Sequence, residues 1–310
     1  MKIRLLSESD IDAILSLWNR HLTYDQLTPE LLEEKVWDDS DFVDELAMVV
    51  EHREQVIAFA MGVIRPVQNT PVGYVKMLVV DSRFQRYGIG QRLLTELENR
   101  LIARDARTLR IAESAPNYIT PGLDPRYTKA MILLEKNGYT RFKETWSLES
   151  DLSNQDFTTA DAEQKLAEKG IEIRRGKPDD ENLLLELLQK TGWIAWQSEL
   201  KKVLNRHPAT VHIALKDNKI IAFSAHNTNN YNTGSFGPLA TLDECRGLKI
   251  GRILLHRGLQ DIKEADHRFA IIPWAGPVSF YLHHCGAEIA RIFYRYEKKV
   301  KSQPPANSTK

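Results

Sequence analysis

The sequence predicts an α/β fold in which two tandem domains each carry a mixed, mostly antiparallel sheet flanked by helices. The first observation behind this prediction is the length of 310 residues, which suits about two domains of ~150 residues. The second is an internal repeat whose segments recur in the same order. The third is the composition, with 42% hydrophobic and 27% charged residues, which is typical of a globular protein with a sizeable core.

Each copy of the repeat begins with a short strand and an amphipathic helix. In the first copy, Ile3-Arg4 precedes apolar residues at helical spacing, and Ser7 or Ser9 is predicted as the N-cap. The second copy begins at Ile173-Arg174, and Pro178 suits the first turn of its helix. The apolar positions of the two helices are Ile11, Ile14, Leu15 and Trp18, and Leu184, Leu187 and Leu188.

A hairpin follows in each copy, where residues 55–59 (QVIAF) match residues 219–223 (KIIAF). Apolar strands then run into a turn and a helix, and residues 78–90 align with residues 239–251 without a gap. Each copy closes with an apolar strand, a helix and a glycine. The predicted unit is β-α-(α)-β-β-β-α-β-α-β, and four matches in one order indicate duplication.

The repeat predicts the domain boundaries. The first domain is expected over residues 1–150, and the second over residues 171–300. The polar stretch 151–170 is expected to be a linker with a short helix from Thr159. The tail 301–310 is rich in Pro, Ser and Asn and is predicted to be disordered.

Composition excludes several classes of protein. Lys plus Arg equals Asp plus Glu at 42 each, which argues against a broad nucleic-acid-binding surface. No apolar run reaches the ~20 residues of a membrane span, and the N-terminal MKIRLL is too short for a signal peptide. Two cysteines imply no disulfide framework, so we expect a reduced, cytoplasmic protein.

The segment Gln85–Gly90 (QRYGIG) connects a predicted strand to a helix expected from Gln91 to Leu101. A helix N-terminus presents unpaired N–H groups, and glycine lets that backbone approach a phosphate closely. A left-handed turn that joins strand and helix tightly would give the same pattern. Leu93 stands where a Rossmann loop needs glycine, and the Gly-Lys-Ser/Thr of a Walker loop is absent.

The segment resembles the acetyl-CoA loop of the GNAT N-acetyltransferases, Gln/Arg-x-x-Gly-x-Gly/Ala, preceded by a strand ending in Leu/Val-x-Val. The resemblance covers both copies and is to the tandem, two-domain type of that family. It implies that the strand backbone pairs with the pantetheine arm of acetyl-CoA and that the loop amides bind its pyrophosphate. The implied cofactor-binding residues are Leu78, Val79, Val80, Gln85, Arg86, Tyr87, Gly88, Ile89, Gly90 and Gln91.

The second copy departs from this pattern. Lys249 replaces the central glycine and Thr241 replaces a strand valine. A lysine is costly there if the backbone is left-handed, although it could instead bind a phosphate directly. The candidate cofactor-binding residues of this copy are Leu239, Thr241, Arg246, Gly247, Gly251 and Arg252.

The family's usual acid is a tyrosine four residues before a glycine on the last helix. The first copy has Leu134 at this position, and the second has Leu282 with Tyr281 one place earlier. Because one residue turns a helix by ~100°, Tyr281 is expected to point elsewhere.

Other residues are candidates for the chemistry. Acetyl transfer needs a base, which Glu113 could supply, although a solvent-exposed loop carboxylate would give the same pattern and a water chain could do the same work. The backbone N–H of Val79 or Val80 could polarise the thioester carbonyl. Residues 116–127 are expected to shape the acceptor pocket, with Tyr118 and Asp124 as substrate contacts and Tyr127 as a substitute acid. Trp274 holds the equivalent place in the second copy, as pocket wall or core.

The resemblance therefore implies an acetyl-CoA-dependent N-acetyltransferase that acts on the primary amine of a small molecule or a peptide N-terminus by direct attack. The alternative is a non-catalytic acyl-CoA-binding or regulatory protein. His283 and His284 are adjacent and lack metal-ligand spacing, so no metal is expected. Neither nucleic acid nor membrane is an expected partner, and the protein is expected to be a monomer or homodimer.

Overall fold

The computed structural model describes residues 1–300, which form two compact units. The first unit contains residues 1–145 together with the segment that begins at Phe293. The second unit contains residues 146–292. In both units, helices flank sheets, and the first unit's sheet is mixed, so the predicted fold class is confirmed.

The first copy has the element order that the repeat predicts. Its elements are β1 (Lys2–Leu5), α1 (Ile11–His21), α2 (Pro29–Lys35), β2 (Ala47–His52), β3 (Gln55–Val67), β4 (Thr70–Val80), α3 (Ile89–Ala103), β5 (Thr108–Ile111), α4 (Thr128–Lys136) and β6 (Thr140–Asp151). The stretch 151–170, predicted as a linker, contains the short helix predicted from Thr159, α5 (Ala160–Ala167), and lies within the second unit.

The second copy repeats this order. Its elements are β7 (Ile171–Arg175), α6 (Glu181–Thr191), α7 (Gln197–Leu204), β8 (Val211–Lys216), β9 (Lys219–His226), β10 (Phe236–Thr241), α8 (Ile250–Glu264), β11 (Phe269–Ile272), α9 (Val278–Cys285) and β12 (Glu288–Lys299). Over residues 1–300, none of the helices has the length and apolar composition needed to cross a membrane.

An arginine–aspartate pair fixes the start of each copy. Arg4 binds Asp10 at 2.7 Å, and Arg174 binds Asp180 at 2.7 Å. Asp10 is the N-cap of α1 itself, whereas Ser7 is the N-cap of the 3-10 turn Glu8–Asp10 that leads into α1, so of the two predicted serines Ser7 caps the turn and neither caps the α-helix. The Asp10 carboxylate instead accepts the N–H of Ser7 at 2.9 Å, which leaves the serines in a short turn before the helix.

The sheet of the first unit has the order β1–β2–β3–β4–β5–β12. Its pairs are antiparallel except for β4 and β5, which run parallel with Val72 opposite Thr108. Helix α3 covers one face with Leu93, Leu97 and Leu101, and α1 and α2 cover the other. Each fully buried leucine contributes roughly 1.5–3 kcal/mol through its removal from water.

The second unit has a four-stranded antiparallel sheet in the order β10–β9–β8–β7. Strand β11 pairs in antiparallel fashion with the later part of β6, where Ile272 lies opposite Leu148. Ser235 and Ile271 form a single parallel bridge between the start of β10 and β11.

Two strands change unit along their length. Strand β6 passes from the first unit to the second after Thr145, and β12 passes to the first unit at Phe293. The structural units therefore differ from the contiguous stretches 1–150 and 171–300, because a repeat in the sequence does not reveal which sheet a terminal strand joins. The tail predicted over 301–310 lies outside the described residues.

Candidate functional site

Strand β4 diverges from β5 along its length. The parallel register of the two strands ends at Val75 and Ile111, whereas β4 continues to Val80. Lys76 is an extra residue at this point, because β3 pairs successive residues with Val75 and Met77. The bulge and the divergence leave the end of β4 with β3 on one side and a gap on the other.

The backbone groups of Leu78 and Val80 point toward this gap. The N–H of Asp81 donates to the carbonyl of Ile57 on β3 at 2.9 Å, and alternate residues of an antiparallel strand bond to the same neighbour. Val79 therefore faces β3, while Leu78 and Val80 direct their N–H and C=O groups away from it. Of the two predicted carbonyl-polarising groups, only the N–H of Val80 is directed into the gap.

The loop after β4 begins at Gln85, whose side-chain amide donates to the carbonyl of Val80 at 2.9 Å. Lys129, in the first turn of α4, donates to the same side chain at 2.9 Å. Arg86 and Gly88 are left-handed, with φ of 66° and 77°. Arg86, Tyr87 and Gly88 are exposed at the N-terminus of α3, where the helix dipole favours an anion.

The two glycines of this loop lie in different surroundings. A Cβ on Gly88 would meet no atom within 4 Å, so the left-handed backbone is what favours glycine there, and it leaves space beside the loop. A Cβ on Gly90 would lie 3.5 Å from both Leu133 and Val80, which is ordinary contact distance, so this position faces α4 and β4. Ile89 is buried in the core, and Gln91 is exposed in the first turn of α3.

The second unit contains a loop with the same backbone pattern. Gly247 and Lys249 are left-handed, with φ of 84° and 63°, at the positions of Arg86 and Gly88. A Cβ on Gly251 would lie 3.5 Å from Thr241 Oγ1, so this position faces β10 at ordinary contact distance, as Gly90 faces β4. Leu239 and Thr241 face away from β9, because the N–H of Leu242 donates to Ile221 of that strand. Arg246 and Arg252 are exposed at the two ends of the loop.

The model of the acetyltransferase (GNAT) family matches residues 11–120 and again residues 177–286. The chain belongs to the GNAT family. The two matches together span most of the chain, with one in each copy of the repeat, so the protein is a tandem GNAT acetyltransferase. No curated protein matches this sequence at a significant level.

Several solved structures of GNAT proteins share the fold. The GCN5-related glucosamine N-acetyltransferase region of a fungal multi-domain GH3 β-N-acetylglucosaminidase superimposes with a TM-score of 0.80 at 16% identity, over 96% of this chain and 38% of that chain. A tandem GNAT protein from the clavulanic acid biosynthesis pathway has a TM-score of 0.69 at 16% identity, over 98% of this chain and 99% of its own. A GCN5-related N-acetyltransferase from Sphaerobacter thermophilus has a TM-score of 0.68 at 17% identity, over 99% and 98%.

Glu113, the predicted base of this GNAT protein, follows β5 and is 2% exposed. Its carboxylate binds Arg295 of β12 at 2.8 Å and Arg110 at 3.3 Å. Burial raises the pKa of Glu113, and the hydrogen bond from Arg295 opposes this shift. The side chain is therefore not a solvent-exposed loop carboxylate, and both of its oxygens already accept hydrogen bonds from arginine.

The predicted acceptor segment carries a cluster at the start of α4. The hydroxyl of Tyr127 accepts the N–H of Tyr24 at 3.1 Å, and the two rings meet edge to face with centroids 5.5 Å apart. Arg126 stacks on Tyr24 at 3.7 Å and binds Asp124 at 2.6 Å. Asp124 is buried beneath this arginine, and Tyr118 is half-buried in the same segment.

His21, at the end of α1, lies against the end of β4. Its Nε2 is 3.4 Å from the N–H of Ser82 and 3.8 Å from the Asp81 carboxylate. Burial lowers the pKa of His21, which keeps the ring neutral near pH 7. A hydrogen bond from Arg83 lowers the pKa of Asp81 to about 2. No sequence pattern marks His21, because its partners come from a distant part of the chain.

The residues near the family's tyrosine position are placed differently. Leu134 and Tyr281 are buried in the cores of their units, and burial raises the pKa of Tyr281 to about 12. Leu282 is 53% exposed. Trp274 is half-buried in the turn after β11, in the second unit. Apart from Trp274, the predicted catalytic and substrate residues therefore lie on one segment of the first unit.

Proposed function

We propose that this tandem GNAT protein is an acetyl-CoA-dependent N-acetyltransferase whose first unit holds the cofactor. The acceptor is the primary amine of a small molecule or of a peptide N-terminus, attacked directly. The observation that carries the proposal is the open edge of β4 at Leu78 and Val80, which leads straight into the left-handed loop at the start of α3.

The residues present fit acetyl-CoA. An extended arm with amide groups can pair with the backbone of Leu78 and Val80 as an added strand would. Its pyrophosphate then reaches the exposed backbone at Gly88, where the φ of 77° and the open space on the Cβ side suit a close approach.

Acetyl-CoA supplies the acyl group for the reaction. The N–H of Val80 stabilises negative charge on the thioester oxygen. His21 accepts the proton of the attacking amine at Nε2, which gives up its long 3.4 Å hydrogen bond from the Ser82 N–H when the proton arrives, and burial keeps the ring neutral beforehand. Tyr127 is the proposed donor of a proton to the departing sulfur, and the hydrogen bond from the Tyr24 N–H to its oxygen holds the hydroxyl at the start of α4.

A non-catalytic acyl-CoA-binding or regulatory role is the second candidate. The specific observation in its favour is Leu134, which stands buried where the family's usual acid would be. Under this alternative, Tyr127 serves the packing of the segment alone.

The experiment measures the melting temperature with acetyl-CoA, and CoA release with a panel of amines that includes amino sugars, polyamines and peptides. We expect acetyl-CoA to stabilise the protein, by about 2.7 kcal/mol at a concentration of 100 Kd, and at least one amine to release CoA above background. Gly88→Ala should remove the stabilisation. Gly138→Ala is the matched control, since Gly138 is also left-handed with φ of 83° and open space around its Cβ, at the far end of α4.

If Gly88→Ala keeps the full thermal shift, the proposed cofactor site is wrong. If acetyl-CoA binds at Gly88 while the whole panel stays at background, the non-catalytic role replaces the enzyme.

A further inference from the structure

The segment between β5 and α4 carries the acceptor residues and is coiled tightly at its start. The N–H groups of Glu113, Ser114 and Ala115 each donate to the carbonyl two residues earlier, at 2.8, 2.5 and 2.9 Å. Such short turns do not hold a segment in place by themselves, because they make no contact with another element. The position of the segment therefore depends on its anchors.

One anchor comes from β3. The guanidinium of Arg65 donates to the backbone carbonyls of Ser114 and Pro116, and Asp39 holds the same arginine at 2.6 Å. Asn117 extends this contact by donating to the carbonyl of Glu34 at 2.7 Å. All these residues lie within the first 145, so this anchor is present wherever the first copy is folded.

The second anchor comes from β12. Arg295 binds both oxygens of Glu113, and its guanidinium stacks over Phe142 at 4.8 Å. Arg110 reaches the same carboxylate and stacks over the same ring at 5.0 Å. The Arg295 side chain is only 13% exposed, so the pair is largely removed from solvent screening.

Backbone contacts extend the second anchor toward Asp124. The N–H of Leu123 donates to the carbonyl of Tyr294 at 2.9 Å, and the N–H of Tyr294 returns a bond to Leu123 at 2.8 Å. Gly122 approaches so closely that a Cβ there would lie 2.9 Å from the Tyr294 carbonyl oxygen. Tyr296 continues to α4, where its hydroxyl donates to Glu135 at 2.9 Å.

We propose that Arg295 is a positioning residue for the amine acceptor and acts through its ion pair with Glu113. This proposal rests on the proposed acetyl transfer. The pair holds residues 113–127 against β12, so that Tyr127 and the acceptor pocket keep their place beside β4. Glu113 takes part in this anchor rather than in proton transfer. The acetyl-CoA loop at residues 85–90 directly follows β4 and has its own hydrogen bond from Gln85 to the Val80 carbonyl, which involves neither residue of the pair.

The test uses the full chain with Arg295→Met, Glu113→Gln, the double variant and the conservative Arg295→Lys. Steady-state kinetics give KM for the amine and kcat, the thermal shift gives acetyl-CoA binding, and hydrogen exchange reports on residues 113–127. Lys299→Met is the matched control, because it removes a cation from the same strand where the side chain is 70% exposed.

We expect Arg295→Met to raise KM for the amine at least tenfold, to speed exchange in residues 113–127 and to leave acetyl-CoA binding within twofold. Arg295→Lys should raise KM for the amine less than Arg295→Met does. The double variant should have a KM no higher than that of the worse single variant, because the two residues act through each other. If Arg295→Met does not fold, Arg295→Lys and Glu113→Gln are compared with the wild type by the same measurements.

Unchanged exchange in residues 113–127 would overturn the proposal whether or not the protein is active. So would an equal loss of acetyl-CoA binding, or additive effects in the double variant. If no amine is acetylated while the exchange pattern changes as expected, the proposed function fails and the anchor stands.

Discussion

Lys249 and Gly88 occupy the same left-handed backbone position in the two loops, with φ of 63° and 77°. The position two residues earlier is also left-handed in both, at Gly247 and Arg86. Each loop thus places glycine at one of its two left-handed positions and a longer side chain at the other. Replacement of the central glycine in the second copy therefore adds a side chain to the loop but leaves its backbone conformation unchanged.

Lys249→Gly should stabilise the protein by up to about 1 kcal/mol, because a left-handed backbone penalises a residue with a Cβ. Chemical denaturation of the intact chain measures this change. The control is Lys219→Gly, at the start of β9, where glycine should destabilise. A destabilising Lys249→Gly would mean that the lysine side chain makes a contact worth more than the strain.

Lowering the pH should destabilise the protein through His226. Burial lowers the pKa of His226 to about 4, beside Asp261, His212, Arg175 and Arg206. The unfolded chain binds the proton near pH 6.5 and the folded chain only near 4, so stability falls as pH drops through this window. The loss should reach an order of 1–3 kcal/mol.

The measurement compares the free energy of unfolding of the wild type and His226→Gln between pH 7 and pH 4. The difference between the two should shrink or reverse as the pH falls, since the variant lacks the titrating ring. Parallel curves across the window would rule out His226 as the source of the pH dependence.

Tyr127→Phe should lower kcat on the order of 100-fold, because a general acid contributes about that much. KM for acetyl-CoA should stay within twofold, since the loop at Gly88 is untouched. Tyr281→Phe serves as the control, because that ring is buried in the second unit's core. Steady-state kinetics measure both constants, and an unchanged kcat would show that Tyr127 is not the general acid.

His21→Gln should flatten the acidic side of the pH profile of kcat/KM. In the wild type, the rate should fall only at a pH below the ordinary histidine pKa, because burial lowers the pKa of His21 and the protonated ring cannot accept the amine's proton. Glu113→Gln should keep this side of the profile, since its carboxylate is held by two arginines. A flattened pH profile in Glu113→Gln, together with a wild-type profile in His21→Gln, would identify Glu113 rather than His21 as the general base.

The parts of the site that the sequence predicted are local. Residues 78–90 form one strand, turn and helix start, and their hydrogen bonds join residues close in the chain, such as Gln85 and Val80. The order of elements also follows from local periodicity and from the repeat. The bulge at Lys76 was not predicted, because it depends on the register between β3 and β4.

The parts that were missed depend on distant residues. Glu113 could be placed after β5, but its partner Arg295 lies on a strand whose sheet the repeat does not reveal. His21 and Asp81 meet only when α1 packs beside the end of β4. The charge state of each group follows from these contacts, so its role could not be read from spacing alone.

The course of β12 also bears on how the protein is made. A ribosome releases residues 1–145 first, and these lack the strand that pairs with β5. Their sheet is completed only when residues 293–299 emerge, after the entire second unit has been synthesised. A nascent chain that stops early therefore leaves β5 paired on one side only and Glu113 without Arg295, which makes completion of the first unit's sheet a late event of translation.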